Sequence, residues 1–530
     1  MQEYDYVIVG AGSAGCVLAN RLSANPHTRV CLLEAGGGDK SPLLHVPAGW
    51  AATFKNKKFD WSYETEPEAE LNNRRIYWPR GKGLGGSSAI NGMIYIRGVP
   101  LDFAAWEQAG AKGWSWEEVL PYFIKAERQQ THVNESHGAD GPLYVQDVVD
   151  KRPIQETFLD AMEEQGIPRT ADFNGVDQAG CGHYQFTQKN GRRWSTSSAY
   201  LKPARGRSNL EVRVKVQTKR IIFEQNKAVG VETDRAGRSE TIRARHVILS
   251  CGAIGSPQLL ELSGVGDADR LSALGIQVHH HLPDVGEHLQ DHLLCKVVYG
   301  TRADLSINRE VSGARLIPAA LKWFFARKGP LTTGSAPIGA FWYTRDGLEA
   351  PDIQVHFASG ATLYNNAGKI RAMAQPAMSA VVNQSRPESR GSIHITSSDY
   401  RDHPEIRANY LSTELDRRTM IDGMKLLLRV FESEALADSI TSRLSPAEEK
   451  GNLSDDALLD YIREEAGTVY HPTSTCSIGK VVDENLLVKG LEGLSVVDAS
   501  VMPYVVSGNT NAATIMVAEK NADFLTAHVK

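Results

Sequence analysis

The sequence predicts a mixed α/β chain folded as two interleaved lobes, one of them Rossmann-like. Three observations carry this. A glycine-rich turn sits between a buried strand and a helix at the N-terminus. A β-rich stretch returns at 210–255, and a strand ending in a carboxylate followed by a helix closes the chain. At 530 residues the chain exceeds one ordinary core, yet neither an internal repeat nor a low-complexity linker divides it. The lobes therefore share the chain by repeated crossings.

The opening unit reads Tyr6-Val7-Ile8-Val9 as a buried strand, then Gly10-Ala11-Gly12-Ser13-Ala14-Gly15, then a helical Cys16–Leu22. A second strand, Val30–Leu33, ends in Glu34-Ala35-Gly36. Gly10 permits the tight turn, Gly12 the approach of a pyrophosphate and Gly15 close helix packing. The first amides of the helix, at Ser13 and Ala14, then face phosphate. Glu34 lies 19 residues beyond Gly15 (34 − 15), where a carboxylate binds ribose hydroxyls and repels a 2′-phosphate. Strand before, helix after and acid at this distance together predict a dinucleotide site.

Residues 37–80 read as irregular excursions, and helical periodicity returns at Leu101–Gln108 and Trp116–Glu127. Strands are expected at Leu210–Val216, Arg220–Phe223, Ala228–Glu232, His246–Ser250, Asp352–Phe357 and Ser392–Thr396. Helices are expected at Asp416–Phe431, Asp455–Glu465 and Ala512–Thr526, with a short strand at Leu494–Asp498.

Composition excludes several classes. Hydrophobic residues at 42% and charged residues at 23% fit a folded protein, and a net charge of −5 argues against nucleic acid as partner. Six scattered cysteines without a Cys-x-x-Cys pair predict a reducing compartment and neither disulfides nor zinc. His279, His280 and His281 lack the accompanying acids or cysteines of a metal site, so no metal is expected. The N-terminus lacks a basic region followed by an apolar run, which predicts a cytoplasmic protein. One stretch, 314–328, is apolar, aromatic and flanked by Arg315, Arg327 and Lys328. The expected reading is a helix covering the core or the active site. The alternative is peripheral contact with the inner face of a membrane.

Two further glycine-rich segments are specific. Gly81-Lys82-Gly83-Leu84-Gly85-Gly86-Ser87-Ser88-Ala89-Ile90-Asn91-Gly92-Met93-Ile94 resembles the first signature of the glucose–methanol–choline (GMC) oxidoreductases, and Gly252 through Gly266 resembles the second. Tyr470-His471-Pro472 resembles the segment bearing that family's active-site histidine, and Val497-Asp498-Ala499-Ser500 with Gly508-Asn509-Thr510-Asn511 resembles its closing flavin segment.

The resemblance implies an α/β (α+β) architecture: a Rossmann-like FAD-binding domain from 1–150, 205–300 and 465–530, interleaved with a substrate-binding domain from 151–204 and 301–464 on an antiparallel sheet with helices. It implies FAD, held by the 10–15 turn, Glu34 and Ala35. Gly81, Leu84, Gly85, Gly86, Ser87, Asn91, Gly92, Met93, Ile94, Gly252, Asp498, Ala499, Asn509, Thr510 and Asn511 complete the cofactor set, with Thr218 near the adenine by backbone contact. Ile90 stands where some choline-oxidising relatives carry a histidine joined to the flavin, which implies noncovalent FAD.

The implied reaction is oxidation of a primary alcohol, the resemblance being to bacterial enzymes that act on choline, aliphatic alcohols, polyols or sorbose-like sugars: the hydroxyl proton goes to a base and a hydride to flavin N5. A histidine suits the first transfer, with an ordinary pKa of about 6.5. The resemblance gives that role to His471 and makes Asn509 its partner. His356 shares a strand face with Gln354 and reads equally as a substrate-pocket residue or a core histidine. Electrons would pass to a quinone or another carrier. An oxidase using O2 and an FAD-containing hydroxynitrile lyase are the alternatives.

Overall fold

The computed structural model describes residues 3–132, 134–175, 177–364, 370–447 and 453–528. Two seven-stranded sheets organise the chain. The first runs in the order Leu210–Val214, Val30–Glu34, Tyr4–Val9, Arg238–Leu249, Lys227–Arg235 and Gln217–Glu224, with Leu494–Val496 on Arg238–Leu249. Its central pairs are parallel and its outer hairpins antiparallel. Parallel strands are covered on both faces, which is why Val30–Glu34 is buried at every position instead of alternating.

The helices Ser13–Leu22 and Asn511–His528 pack together against this sheet and are tied by Arg21 and Glu519, whose closest atoms lie 2.7 Å apart. The first strand and the last helix of the chain thus belong to one lobe.

The second sheet is wholly antiparallel: Ile440–Ser445, Leu293–Thr301, Ala377–Gln384, Ile353–Ala358, Ile338–Trp342 and Gly180–His183, with Gly467–Thr468 on Leu293–Thr301. The strand 293–301 already belongs to this sheet, so the chain crosses between lobes just before it. Alternation divides the two faces. Leu293, Cys295 and Val297 join Val355, Phe357 and Val382 in the core, beneath the helix Glu414–Phe431. Leu294, Lys296, Val298, Ser379, Val381 and His356 point the other way and line a cavity.

The helix Leu316–Ala326 departs from expectation. It buries only Ala319 and Trp323 and turns Ile317, Leu321, Phe324 and Phe325 to solvent. It does not cover the core, because its apolar residues are on its outer face.

Candidate active site

A cavity of about 550 Å3 extends from the carboxyl ends of the strands 4–9 and 30–34 to the second sheet. At its first end Gly10 turns the chain with φ +99°, and a Cβ on Gly15 would lie 1.9 Å from the Gly10 carbonyl oxygen. Only glycine lets the helix start this close to the strand. Glu34 is buried at the end of its strand and accepts from the Ala11 N–H at 3.0 Å and the Gly36 N–H at 2.7 Å. Burial pushes its carboxyl pKa up, and those amides work against the shift.

The 81–94 loop closes over this turn. A Cβ on Gly86, at φ +50°, would stand 2.6 Å from the Gly12 Cα, so two bare backbones face each other. Asn91 Oδ1 accepts from the Met93 N–H at 3.2 Å and from Arg193 at 2.7 Å. Arg193 is fully buried with no carboxylate partner among the described residues, and desolvation draws its pKa down to about 9. It also donates to the Ser88 and Pro47 carbonyls, fastening the loop from beneath.

Gly10, Gly12, Ser13, Ala14, Glu34, Ala35, Gly81, Gly86, Ser87, Asn91, Gly92, Met93, Ile94, Thr218, Gly252, Asp498, Ala499, Asn509, Thr510 and Asn511 all line the cavity, as do His471 and His356. Gly15, Leu84 and Gly85 are set back from it: Gly15 packs under the turn, Leu84 joins the core, and Gly85 faces Ala89, Ser195 and Ser197. The Asp498 carboxylate is fully engaged within the chain. It accepts from Gly252 N–H, the Ser256 hydroxyl, and the N–H and hydroxyl of Ser500 at 2.6–2.8 Å. It joins two cofactor segments to each other.

At the opposite end, three side chains form a hydrogen-bonded line. His292 Nε2 lies 2.9 Å from the Ser385 carbonyl oxygen, His292 Nδ1 lies 2.9 Å from His471 Nδ1, and His471 Nε2 lies 3.2 Å from Asn509 Nδ2. A carbonyl only accepts, so His292 Nε2 carries its proton. Burial lowers the His292 pKa to about 4, leaving the ring neutral and its Nδ1 a bare acceptor. His471 must then donate from Nδ1. Its pKa is held well below the ordinary value, chiefly by burial and further by His292, Arg80 and His356. A neutral ring with its proton on Nδ1 has a free lone pair on Nε2, facing Asn509.

The backbone fixes this line from outside. The His471 N–H donates to Asp291 at 2.6 Å, and Asp291 also accepts from the Tyr410 and Thr468 hydroxyls. Arg80 donates to the Tyr470 carbonyl at 2.6 Å. Gln354 donates to Asn509 Oδ1 at 3.3 Å, which turns the Asn509 NH2 toward His471. Among the described residues neither ring nitrogen of His356 meets hydrogen-bond geometry, although Asn383 stands beside the ring. Burial lowers the pKa of His356 to about 4, so it is neutral.

Asp291, His292, Arg80 and Arg193 escaped sequence reasoning, and Gln354, placed there on the strand face of His356, had no role assigned. The polar run Gln290-Asp291-His292 inside apolar surroundings was the one available signal. Trp50, Phe54, Trp61, Tyr63 and Tyr470 are aromatic side chains of the cavity wall, Trp61 being stacked on Tyr63 with Lys82 Nζ 4.2 Å from its ring centre. His281 Nδ1 accepts from the Ala268 N–H at 3.1 Å, while His280 and His281 form a short strand.

The polar atoms left open fit a large anionic dinucleotide. No side chain caps the helix at Ser13, whose first turn faces the cavity, and the buried Thr218 hydroxyl is unpartnered among the described residues. A Rossmann-type sheet, a glycine cradle and a histidine–asparagine pair at the far end of one cavity define a dinucleotide-dependent oxidoreductase.

The GMC oxidoreductase family profiles match residues 4–294 and 387–518, and the chain belongs to that family. It is 42% identical to alcohol dehydrogenase (acceptor) of Pseudomonas putida over 99% of this chain and 96% of the relative. It is 41% identical to the oxygen-dependent choline dehydrogenase of Vibrio vulnificus, covering 99% and 94% of the two chains. The crystal structure of pyridoxine 4-oxidase from Mesorbium loti superposes with a TM-score of 0.90 at 31% identity, covering 99% of this chain and 100% of that one. As a member of the GMC oxidoreductases this chain takes FAD as cofactor, and its reaction class is oxidation at a CH–OH carbon.

Proposed function

We propose that the chain oxidises an uncharged primary alcohol to the aldehyde, with His471 as base and Asn509 as the hydrogen-bond donor to the substrate oxygen. The observation behind this is the His292–His471–Asn509 line, which leaves one basic nitrogen and one amide donor side by side. His471 Nε2 takes the hydroxyl proton, and the developing charge on oxygen is met by Asn509 Nδ2. His292 holds the proton on the far nitrogen of His471, and Gln354 holds the Asn509 amide in its donating orientation. FAD, when bound, supplies the acceptor for the hydride leaving the α-carbon. The 10–15 turn, the 81–94 loop and the 498–511 segment would hold it, and Ile90 on the cavity wall offers no ring nitrogen for a covalent link.

The substrate assignment rests on the sheet face opposite. Leu294, Val298, Val381 and Ala358 are apolar, and the charged groups beside them, Lys296 and Glu465, face each other at 3.8 Å. A quaternary ammonium group needs an aromatic cage or a free carboxylate; Trp50, Phe54, Trp61 and Tyr470 line the cavity away from this sheet face, whereas on the face itself there is no aromatic side chain among these residues and Glu465 is paired with Lys296. The electrons go on to an acceptor, the word the name of the Pseudomonas putida relative carries, and in this reading it is a quinone or another carrier. An O2-using oxidase is the second reading, favoured by the likeness to pyridoxine 4-oxidase. The same assignment takes 1–150, 205–300 and 465–530 as the cofactor domain and 151–204 and 301–464 as the substrate domain, with the boundary near 300 moved back to 292.

The test is anaerobic mixing of the flavoprotein with butanol, octanol, choline and sorbose while flavin absorbance is followed. Bleaching by the simple alcohols ahead of choline, abolished in His471→Ala, is expected. Equal bleaching in His471→Ala would refute the base, and no bleaching by any alcohol would favour lyase chemistry. Admitting air then separates oxidase from dehydrogenase by the speed at which the colour returns.

A further inference from the structure

The helix Leu316–Ala326 carries the largest exposed apolar side chains of the described residues: Phe325 is 79% exposed, Ile317 64%, Phe324 62% and Leu321 53%. They recur at i, i+4, i+7 and i+8 and so form one stripe. The opposite stripe, Ala319 and Trp323, is the buried one, and the Trp323 indole N–H donates to the Gly191 carbonyl at 2.9 Å. The helix is thus anchored with its apolar face outward.

The charges on the helix and its flanks are positive, and the acid beside them, Glu310 near Lys322, is paired with Arg152. Arg315, Lys322, Arg327 and Lys328 lie between residues 311 and 343, a stretch with no Asp or Glu, in a chain whose net charge is −5. Arg315, Lys322 and Lys328 are exposed, and Arg327 folds over the Trp323 ring at 4.2 Å. A cationic border around an apolar stripe complements anionic headgroups over acyl chains. It does not suit a second copy, which would bring these like charges together. At 11 residues the helix is about 16 Å long, far short of a bilayer's hydrocarbon core, so it fits the surface and not a span.

We propose that this face docks on an anionic phospholipid bilayer, with the helix lying in the interface and Ile317, Leu321, Phe324 and Phe325 inserted. Its place in the fold gives docking a use. The turn Pro330–Thr332 that follows the helix packs on Pro47–Gly49, and each segment runs on into the cavity wall, through Ser335 and Ala336 and through Trp50 and Phe54. Docking sets this side of the cavity toward the lipid, where an apolar alcohol or a quinone is concentrated. That use rests on the dehydrogenase reading; the docking itself does not.

The experiment is flotation of the FAD-loaded protein with vesicles of phosphatidylcholine alone or mixed with phosphatidylglycerol, at low and high salt. Alcohol oxidation by a soluble dye acceptor is measured in the same samples. Salt-sensitive binding to the anionic vesicles is expected. Phe324→Ser with Phe325→Ser should weaken it about tenfold or more through lost apolar burial. Lys322→Glu with Lys328→Glu should weaken it similarly, at about fivefold per cation removed. Dye-linked activity should stay unchanged in both. No binding to anionic vesicles would overturn the proposal, and so would binding that neither variant weakens. A dimer in gel filtration that Phe324→Ser with Phe325→Ser splits, without vesicle binding, would assign the face to a second copy. Failure of the enzymatic reading looks different: vesicle binding persists while no alcohol reduces the dye.

Discussion

Replacing His292 with Phe tests the His471 tautomer directly. A planar ring is kept, and both the Nδ1 acceptor 2.9 Å from His471 Nδ1 and the Nε2 donor to the Ser385 carbonyl are lost. His471 then has a buried N–H without a partner and shifts toward the tautomer with its proton on Nε2, which cannot take a substrate proton. Losing a neutral hydrogen bond costs about 1 kcal/mol, and leaving a buried donor unpaired costs about 1–3 kcal/mol. At about 1.4 kcal/mol per tenfold, the rate of flavin reduction by butanol should fall about 5- to 100-fold. KM should change little, because Asn509 still holds the alcohol oxygen. The assay is anaerobic stopped-flow reduction of protein with matched FAD content. His292→Asn puts an amide oxygen where Nδ1 was and should recover most of the loss, which a merely structural defect would not allow. Reduction of His292→Phe at the wild-type rate, or a His292→Asn no faster than His292→Phe, would refute the tautomer assignment.

Four further outcomes follow from the same geometry. Gly86→Ala forces a Cβ 2.6 Å from the Gly12 Cα at φ +50°, so the purified protein should lack most of its FAD, read from the ratio of flavin to protein absorbance. Asn509→Ala removes the donor to the substrate oxygen and should lower kcat about 10²- to 10³-fold with FAD retained, measured in the dye-linked assay. Burial holds His471 well below 6.5, so the base stays neutral as pH falls past that value; the acid limb of kcat/KM should inflect below 6.5, and an inflection at or above it would contradict the assignment. His246, His292 and His356 have pKa values lowered to about 4. The unfolded chain takes up those protons near 6.5 and the folded chain does not, so stability should fall as pH drops from about 6.5 toward 4, seen as a falling Tm.

The elements at the two ends of the chain were legible because their signals are local. Val30–Glu34 is an apolar run bounded by turns, and the 10–15 turn needs its glycines for reasons of backbone contact that sequence spacing records. The helices 414–431 and 455–465 announced themselves by 3.6-residue periodicity, within two residues of their observed bounds. What escaped was long-range. His292 meets His471 across 179 residues, and Arg193 reaches Asn91 across 102, so no window of sequence contains either pair. The helix 316–326 failed for another reason. Periodicity reveals that a helix has an apolar stripe but not which way the stripe faces, and that is decided here by the Trp323 indole bonded to Gly191.

The two lobes divide the chemistry in a way that neither could supply alone. His471 and Asn509 come from the closing segments of the chain, which also line the Rossmann side of the cavity. Their orientation comes from the other side: His292 and Gln354 sit at or on strands of the antiparallel sheet, and Ser385 follows another. A base whose tautomer and backbone N–H are both held from beside the antiparallel sheet, by His292 and Asp291, but whose partner Asn509 leads into the last helix of the Rossmann lobe, is correctly poised only when the two lobes are packed together. Disturbing the lobe contact should therefore weaken proton abstraction before it releases FAD, since the 10–15 turn and the 81–94 loop grip each other without the antiparallel sheet.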